Sequence, residues 1–183
     1  MGDQRDGVTW VALELSRQGE QKVEDGTLAV ALRKALGVED SWPVFIPAKL
    51  YSKSGKRVTV HLMEGYAFVG SGLDEVNYFK LERSGKLVEQ VMAIPGPSGV
   101  RVLSTISNRQ VDELRRQLLE RIASDITPGM GVSVTSGKYK GLDGEVLFVE
   151  DDYALVYVEL RSLQTMARIP RVFLDARLYP EEM

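Results

Sequence analysis

Gly131-Val132-Ser133-Val134-Thr135-Ser136-Gly137-Lys138-Tyr139-Lys140-Gly141-Leu142-Asp143-Gly144-Glu145-Val146 sets three glycines between two valine-bearing flanks. Val132 and Val134 share one side of the first flank, and Val146 supplies the apolar side of the second. Both flanks therefore read as half-buried strands. Gly137, Gly141 and Gly144 bracket the connection, where a positive φ or the close approach of another backbone excludes a side chain. A phosphate-cradling loop needs a Lys-Ser/Thr pair and a helix after its glycines. A strand pattern follows here instead, which excludes that chemistry.

Downstream, residues 145–149, 154–160 and 167–172 are further short apolar runs. Short strands with tight turns predict a small barrel, in which closure removes vulnerable sheet edges. Leu155, Leu160, Leu163 and Met166 are tolerable helix formers, but Val156, Tyr157 and Val158 favour strand and Pro170 limits a helix. Strands are expected.

Upstream, Asp125-Ile126-Thr127-Pro128-Gly129 breaks the chain. Before it the pattern is mixed. Residues 8–15 place Val11, Leu13 and Leu15 on one strand face. Residues 21–36 carry a helical stripe of Leu28, Leu32, Ala35 and Leu36, with Gly37 at the cap position. Residues 44–51 form a strand interrupted at Pro47. Residues 57–62 alternate, with Val58, Val60 and Leu62 inward, and 66–70 return as the next strand. Asp74 is placed to cap a short helix carrying Val76, Phe79 and Lys80. Apolar runs at 87–94 and 100–106 flank the turn Pro95-Gly96-Pro97-Ser98-Gly99. Ser107 and Gln110 form a capping pattern ahead of the stripe Val111, Leu114, Leu118, Leu119 and Ile122. The expected fold class is α+β: a mixed sheet flanked by helices over residues 7–123, a linker at 124–128, and a small SH3-like barrel over 129–180.

The 183 residues include 23 Lys/Arg and 26 Asp/Glu. Split at Thr127, cations and anions stand at 17 and 17 before it, and at 6 and 9 after it. Affinity built on phosphate neutralisation calls for a basic excess, so autonomous nucleic-acid binding is not the expected primary function. With no cysteine, there is neither a disulfide framework nor a thiolate metal site. No apolar run reaches the roughly 20 residues that span a bilayer. These features predict a cytoplasmic protein without membrane contact. His61 is the only histidine, and the neighbouring carboxylates Asp151 and Asp152 point to opposite faces of a strand. No catalytic residue, metal ligand or cofactor is assigned, and no enzyme is expected.

The glycine-punctuated stretch resembles the KOW motif, found in the small barrels of NusG-type factors and several ribosomal proteins. Trp10 in the opening strand, Gly19-Glu20 leading to Val23, Pro47 in an apolar strand, and Gly65-Tyr66-Ala67-Phe68-Val69 resemble the N-terminal domain of NusG-type transcription elongation and antitermination factors in order and spacing. Together these features run over nearly the whole chain, and ribosomal KOW proteins lack the first domain.

The resemblance implies a monomeric, non-enzymatic factor that docks on the clamp helices of RNA polymerase and alters pausing, termination or antitermination. It implies that the KOW domain recruits a second partner, Rho or a small-subunit ribosomal protein. Polymerase contacts fall on Trp10, Val11, Met63 and Tyr66, with core burial the alternative for Trp10, Met63 and Tyr66. KOW partner contacts fall on Tyr139, Leu160 and Arg161, with packing on its own hairpin the alternative for Tyr139. Lys49, Lys53, Lys56 and Arg57 surround one turn and are candidate contacts to upstream or non-template DNA, a solvated loop being the alternative. Met63 and Glu64 stand where the family commonly has an aromatic and a proline. Leu160-Arg161-Ser162-Leu163 replaces the usual Phe-Gly-Arg, which points to a specialised, RfaH-like antiterminator paralogue. A ribosome-associated RNA-binding KOW protein is the alternative function.

Overall fold

A computed structural model describes residues 8–53 and 56–177; the side chains of residues 51–53, 56, 57 and 124 lie outside that description. The chain divides into two compact units. Among the described residues, one holds 8–48 and 63–115, the other 49–53, 56–62 and 116–177.

The first unit opens with β1 (Thr9–Leu15), whose alternation buries Val11, Leu13 and Leu15 against two helices. α1 (Arg17–Glu24) begins where the Ser16 hydroxyl accepts the Gly19 amide at 3.2 Å. α2 (Leu28–Leu36) buries Leu28, Leu32 and Leu36 and ends on Gly37 in the left-handed region. The single helix expected over 21–36 is thus two. Ser16 starts the first one earlier, and Gly26, at φ 74°, ends it with a turn no continuous helix accommodates. Pro47 divides the next strand into β2 (Val44–Phe45) and β3 (Ala48–Lys53), because its ring removes a ladder donor. β4 (Lys56–His61) pairs with β3 and buries Val60, while Val58 and Leu62 are half-buried; from Lys49 to Leu62 this hairpin belongs to the second unit.

β5 (Tyr66–Gly70) lies antiparallel to β1, with Ala12 opposite Phe68 and Glu14 opposite Tyr66. Asp74 occupies the N-cap position of α3 (Glu75–Ser84), but its side chain makes no capping bond. Val76 in that helix is exposed, and the buried residues are Tyr78 and Leu81. The Tyr78 hydroxyl donates to the Gly70 carbonyl at 2.8 Å and accepts from the Leu73 amide. Burial pushes its pKa up.

The two apolar runs at 87–106 resolve into four strands: β6 (Val88–Val91), β7 (Ala93–Pro95), β8 (Arg101–Leu103) and β9 (Thr105–Ser107). β6 and β9 pair with opposite ends of β1, while β7 and β8 form a separate hairpin between them. The first sheet therefore runs β2-β5-β1-β6, with β9 also beside β1.

Arg101 anchors the hairpin. Its guanidinium donates to both Glu82 carboxylate oxygens and to the Val91 carbonyl, and it lies 5.1 Å from the Phe79 ring centroid. The Val91 amide donates to the same carboxylate at 2.8 Å. These bonds, those from Arg101 foremost, hold Glu82 below the usual carboxylate range. A carboxyl whose folded pKa is lowered contributes stability at neutral pH and loses it as pH falls through the folded value. In an NMR titration the Val91 amide is expected to shift with a midpoint below the ordinary carboxylate range, and Glu82→Gln should abolish that transition. A midpoint inside the ordinary range would contradict the anchor.

α4 (Asn108–Ser124) starts with the expected capping pattern. The Ser107 amide donates to Gln110 Oε1 at 2.9 Å, and the Gln110 amide donates back to the Ser107 hydroxyl. Val111, Leu118 and Ile122 are buried and Leu114 half-buried, but Leu119 is exposed, so the helix buries a narrower stripe than its sequence offers.

The second unit centres on a five-stranded antiparallel sheet in the order β13-β12-β11-β10-β14. Its strands are β10 (Gly131–Val134), β11 (Asp143–Val149), β12 (Tyr153–Leu160), β13 (Leu163–Pro170) and β14 (Leu174–Ala176). A 3-10 turn, Arg171–Phe173, joins the last two. The apolar run expected over 167–172 belongs to a strand that starts four residues earlier and stops at Pro170. Val132, Val134, Val146, Val156, Val158 and Ile169 fill the core. Residues 154–166 are strand throughout, apart from a two-residue turn.

Candidate docking surfaces

β1 and β5 each have two faces, and only one is covered by α1, α2 and α3. Alternation turns Trp10, Ala12 and Glu14 of β1, with Tyr66 and Phe68 of β5, to the other side. At one end of that side α4 closes over the sheet. Trp10 is 3% exposed, its indole N–H donates to Asn108 Oδ1 at 3.1 Å, and Phe68 stacks on Phe45 with ring centroids 5.9 Å apart. The Arg115 guanidinium lies 5.2 Å from the Trp10 ring centroid and 5.3 Å from that of Phe45.

The opposite end is open. Tyr66 and Met63 are half-buried there, and Gln90 and Met92 are exposed beside them. Gly65, at φ 77°, turns the chain into β5, and its carbonyl accepts the Leu15 amide at 2.7 Å. Tyr66 thereby reaches the sheet face at the end of its strand. The sequence-derived set thus separates: Tyr66 and Met63 border open surface, whereas Trp10 and Val11 are core residues with no surface to offer. Trp10 supports the α4 side of the sheet and Val11 the other. Beyond Met92, the β7–β8 hairpin exposes Ile94, Val100 and Val102. Nothing in the linear pattern separated these from core, because exposure depends on the hairpin standing away from the sheet.

In the second unit Gly137 and Gly141 have φ of 80° and 86°, the left-handed region that side chains resist. Gly144 meets the other requirement, close approach: a Cβ there would lie 2.5 Å from the Tyr157 carbonyl oxygen. Tyr139, on the connecting loop, is half-buried, with Lys138 Nζ 5.5 Å from its ring centroid. The register of Gly144 with Val158 brings that loop to the same end of the sheet as the turn between β12 and β13.

At that turn Arg161 and Ser162 have φ of 51° and 64°, two consecutive non-glycine residues in a conformation suited to Asn-Gly. Leu160 and Arg161 are exposed, and Leu163 is 72% exposed. Tyr157 and Met166, paired across the two strands, extend this apolar tip along the outer face. The sequence reading assigned no role to Tyr157 or Met166, although the inward set Ala154, Val156 and Val158 already requires Tyr157 to point outward.

Among the candidate DNA contacts, Lys49 lies 3.5 Å from Asp175, which partly neutralises it. The side chains of Lys53, Lys56 and Arg57 lie outside the described residues. Among the described residues no group of three or more His, Cys, Asp or Glu is placed to hold a metal ion, and no helix is long and apolar enough to cross a membrane.

No family model and no curated protein matches the chain. Solved structures do. Thermotoga maritima NusG aligns over 92% of this chain and 96% of its own, at 16% identity and a TM-score of 0.36. The MjSpt4:Spt5 complex in its conformation B aligns over 94% and 97%, at 14% identity and 0.35; conformation A gives 93% and 98%, at 14% and 0.29. The chain is similar in structure to NusG and Spt5. At this identity and these scores the NusG and Spt5 likeness assigns no role to any residue.

Proposed function

We propose that the chain is a NusG-type transcription elongation factor whose first unit docks on the clamp helices of RNA polymerase. The open end of the sheet around Tyr66 carries this reading. A sheet face left partly apolar beside exposed Met92 and Ile94 is a surface that association would cover. Tyr66 and Met63 make the contact, and Trp10 and Val11 hold the sheet beneath it. By binding the closed polymerase clamp more tightly than the open one, such a factor alters pausing, termination or antitermination.

The KOW unit recruits a second partner through Leu160, Arg161 and Tyr139, with Leu163 enlarging the tip. Rho and a small-subunit ribosomal protein are the candidates. The Leu160–Leu163 turn departs from Phe-Gly-Arg, which favours a specialised antiterminator over a general Rho-recruiting factor. Six cations against nine anions after Thr127 speak against an RNA-binding role for this unit.

Binding of the full-length protein to core RNA polymerase, with clamp-helix peptide as competitor, tests the docking. Tyr66→Ala is expected to weaken it by about 10- to 100-fold, the range of an aromatic anchor. Transcription on pausing and Rho-dependent templates reads the direction of the effect. A protein that ignores polymerase at high concentration rules the reading out.

A further inference from the structure

One row of side chains crosses the open end of the first sheet: Tyr66, Glu14 and Gln90, directly opposite one another on β5, β1 and β6. Glu14 is the central member and is half-buried. Two carboxylates of this unit are paired, Glu82 with Arg101 and Asp112 with Arg115, and Glu20, Asp40, Glu64, Asp74, Glu75 and Glu89 are exposed to water, so Glu14 differs from them in being half-buried. Among the described residues Glu14 has neither an ion pair nor a side-chain hydrogen bond, and the same holds for the Tyr66 hydroxyl and the Gln90 amide. The neighbouring row is apolar, with Phe68 opposite Ala12 and Met92 donating its amide to the Ala12 carbonyl.

A partner that covers this face removes water from a carboxylate that has no partner within its own unit. Desolvating it unpaired is costly, and pairing it with an opposite charge recovers that cost. An acidic or phosphate-bearing surface is repelled by the same group. We infer that the docking surface is a protein surface presenting a lysine or arginine to Glu14 within an apolar surround, and that Glu14 is a specificity-determining residue of this interface. The inference rests on the docking reading above and adds the charge of the partner to it.

The test is equilibrium binding of the full-length protein to core RNA polymerase at rising ionic strength, with Glu14→Gln, Glu14→Lys, Gln90→Lys and Tyr66→Ala. At about 0.1 M salt Glu14→Gln is expected to weaken binding about tenfold and Glu14→Lys further, and the gap to the unsubstituted protein should close as salt screens the pair. Gln90→Lys, on an exposed position, neutralises the row without touching Glu14 and should weaken binding in the same salt-dependent way. Tyr66→Ala should weaken it at every salt concentration. Near-native affinity of Glu14→Lys and Gln90→Lys beside a weakened Tyr66→Ala overturns the inference and leaves the docking reading standing. Absence of polymerase binding by the unsubstituted protein removes both.

Discussion

Gly144→Ala is expected to unfold the second unit at temperatures where the native protein is intact. Gly144 lies in β11 opposite Val158, on the side of the strand that Val146 shows to be inward. An added Cβ would sit 2.5 Å from the Tyr157 carbonyl oxygen, 2.7 Å from Val156 Cγ1 and 2.9 Å from Val158 Cγ1. The two valines are fully buried, and the carbonyl belongs to β12, an interior strand paired on both sides. Separating β11 from β12 is the remaining response. Overpacking of this kind costs about 3 kcal/mol, at the upper end of its usual range. For a unit this small that corresponds to a fall in Tm of about 10–20 °C. Loss of the dispersed amide signals of residues 130–176 on mild heating would show it, and an unchanged melting profile would contradict the packing described.

Gly19→Ala is the second, and here two effects oppose. Alanine is the better helix former by about 1 kcal/mol, and Gly19 lies within α1, so propensity alone predicts stabilisation. Space predicts the reverse. The new Cβ would penetrate the Leu87 carbonyl oxygen and lie 3.2 Å from the Leu15 Cβ. That carbonyl is fixed, because it accepts the Ser16 amide at 3.1 Å while the Ser16 hydroxyl donates to the Lys86 carbonyl. To make room α1 must lift off the sheet, breaking its own N-terminal bonds and uncovering Val23. The steric cost, about 3 kcal/mol, exceeds the propensity gain. Net destabilisation of about 2 kcal/mol is expected, read as a fall in Tm of about 10 °C. A Tm equal to or above the native value would mean that the helix can shift at little cost.

These two glycines differ in how much of their role was written along the chain. Gly144 belongs to a local pattern of glycines between valine strands, and such patterns specify turns and hairpins because φ, ψ and strand register are set by neighbours a few residues away. The capping pair Ser107 and Gln110 and the strand Tyr66–Gly70 were legible for the same reason. Gly19 carried no comparable signal of close packing. Its requirement comes from Leu87, which is distant in sequence and meets it only when β6 is laid beside β1.

The candidate site divides along the same line. Tyr66, Met63, Leu160 and Arg161 were named through the family resemblance of the motifs that hold them, and the left-handed backbone at Arg161 and Ser162 carried no sequence signal, since neither is glycine. Whether Trp10 contacts a partner or fills a core could not be read from the sequence, because alternation states that two faces exist and not which is covered. The amino-acid order was enough for the helix stripes, the capping pair and the strands on either side of the glycine-bearing loop, all consequences of short-range backbone sterics and hydrophobic period. Packing settled the rest. α4 lies over one end of the sheet and leaves the other bare, so burial falls on Trp10, exposure on Met92, and an unpaired carboxylate on Glu14, each set by which segment arrives from elsewhere in the chain.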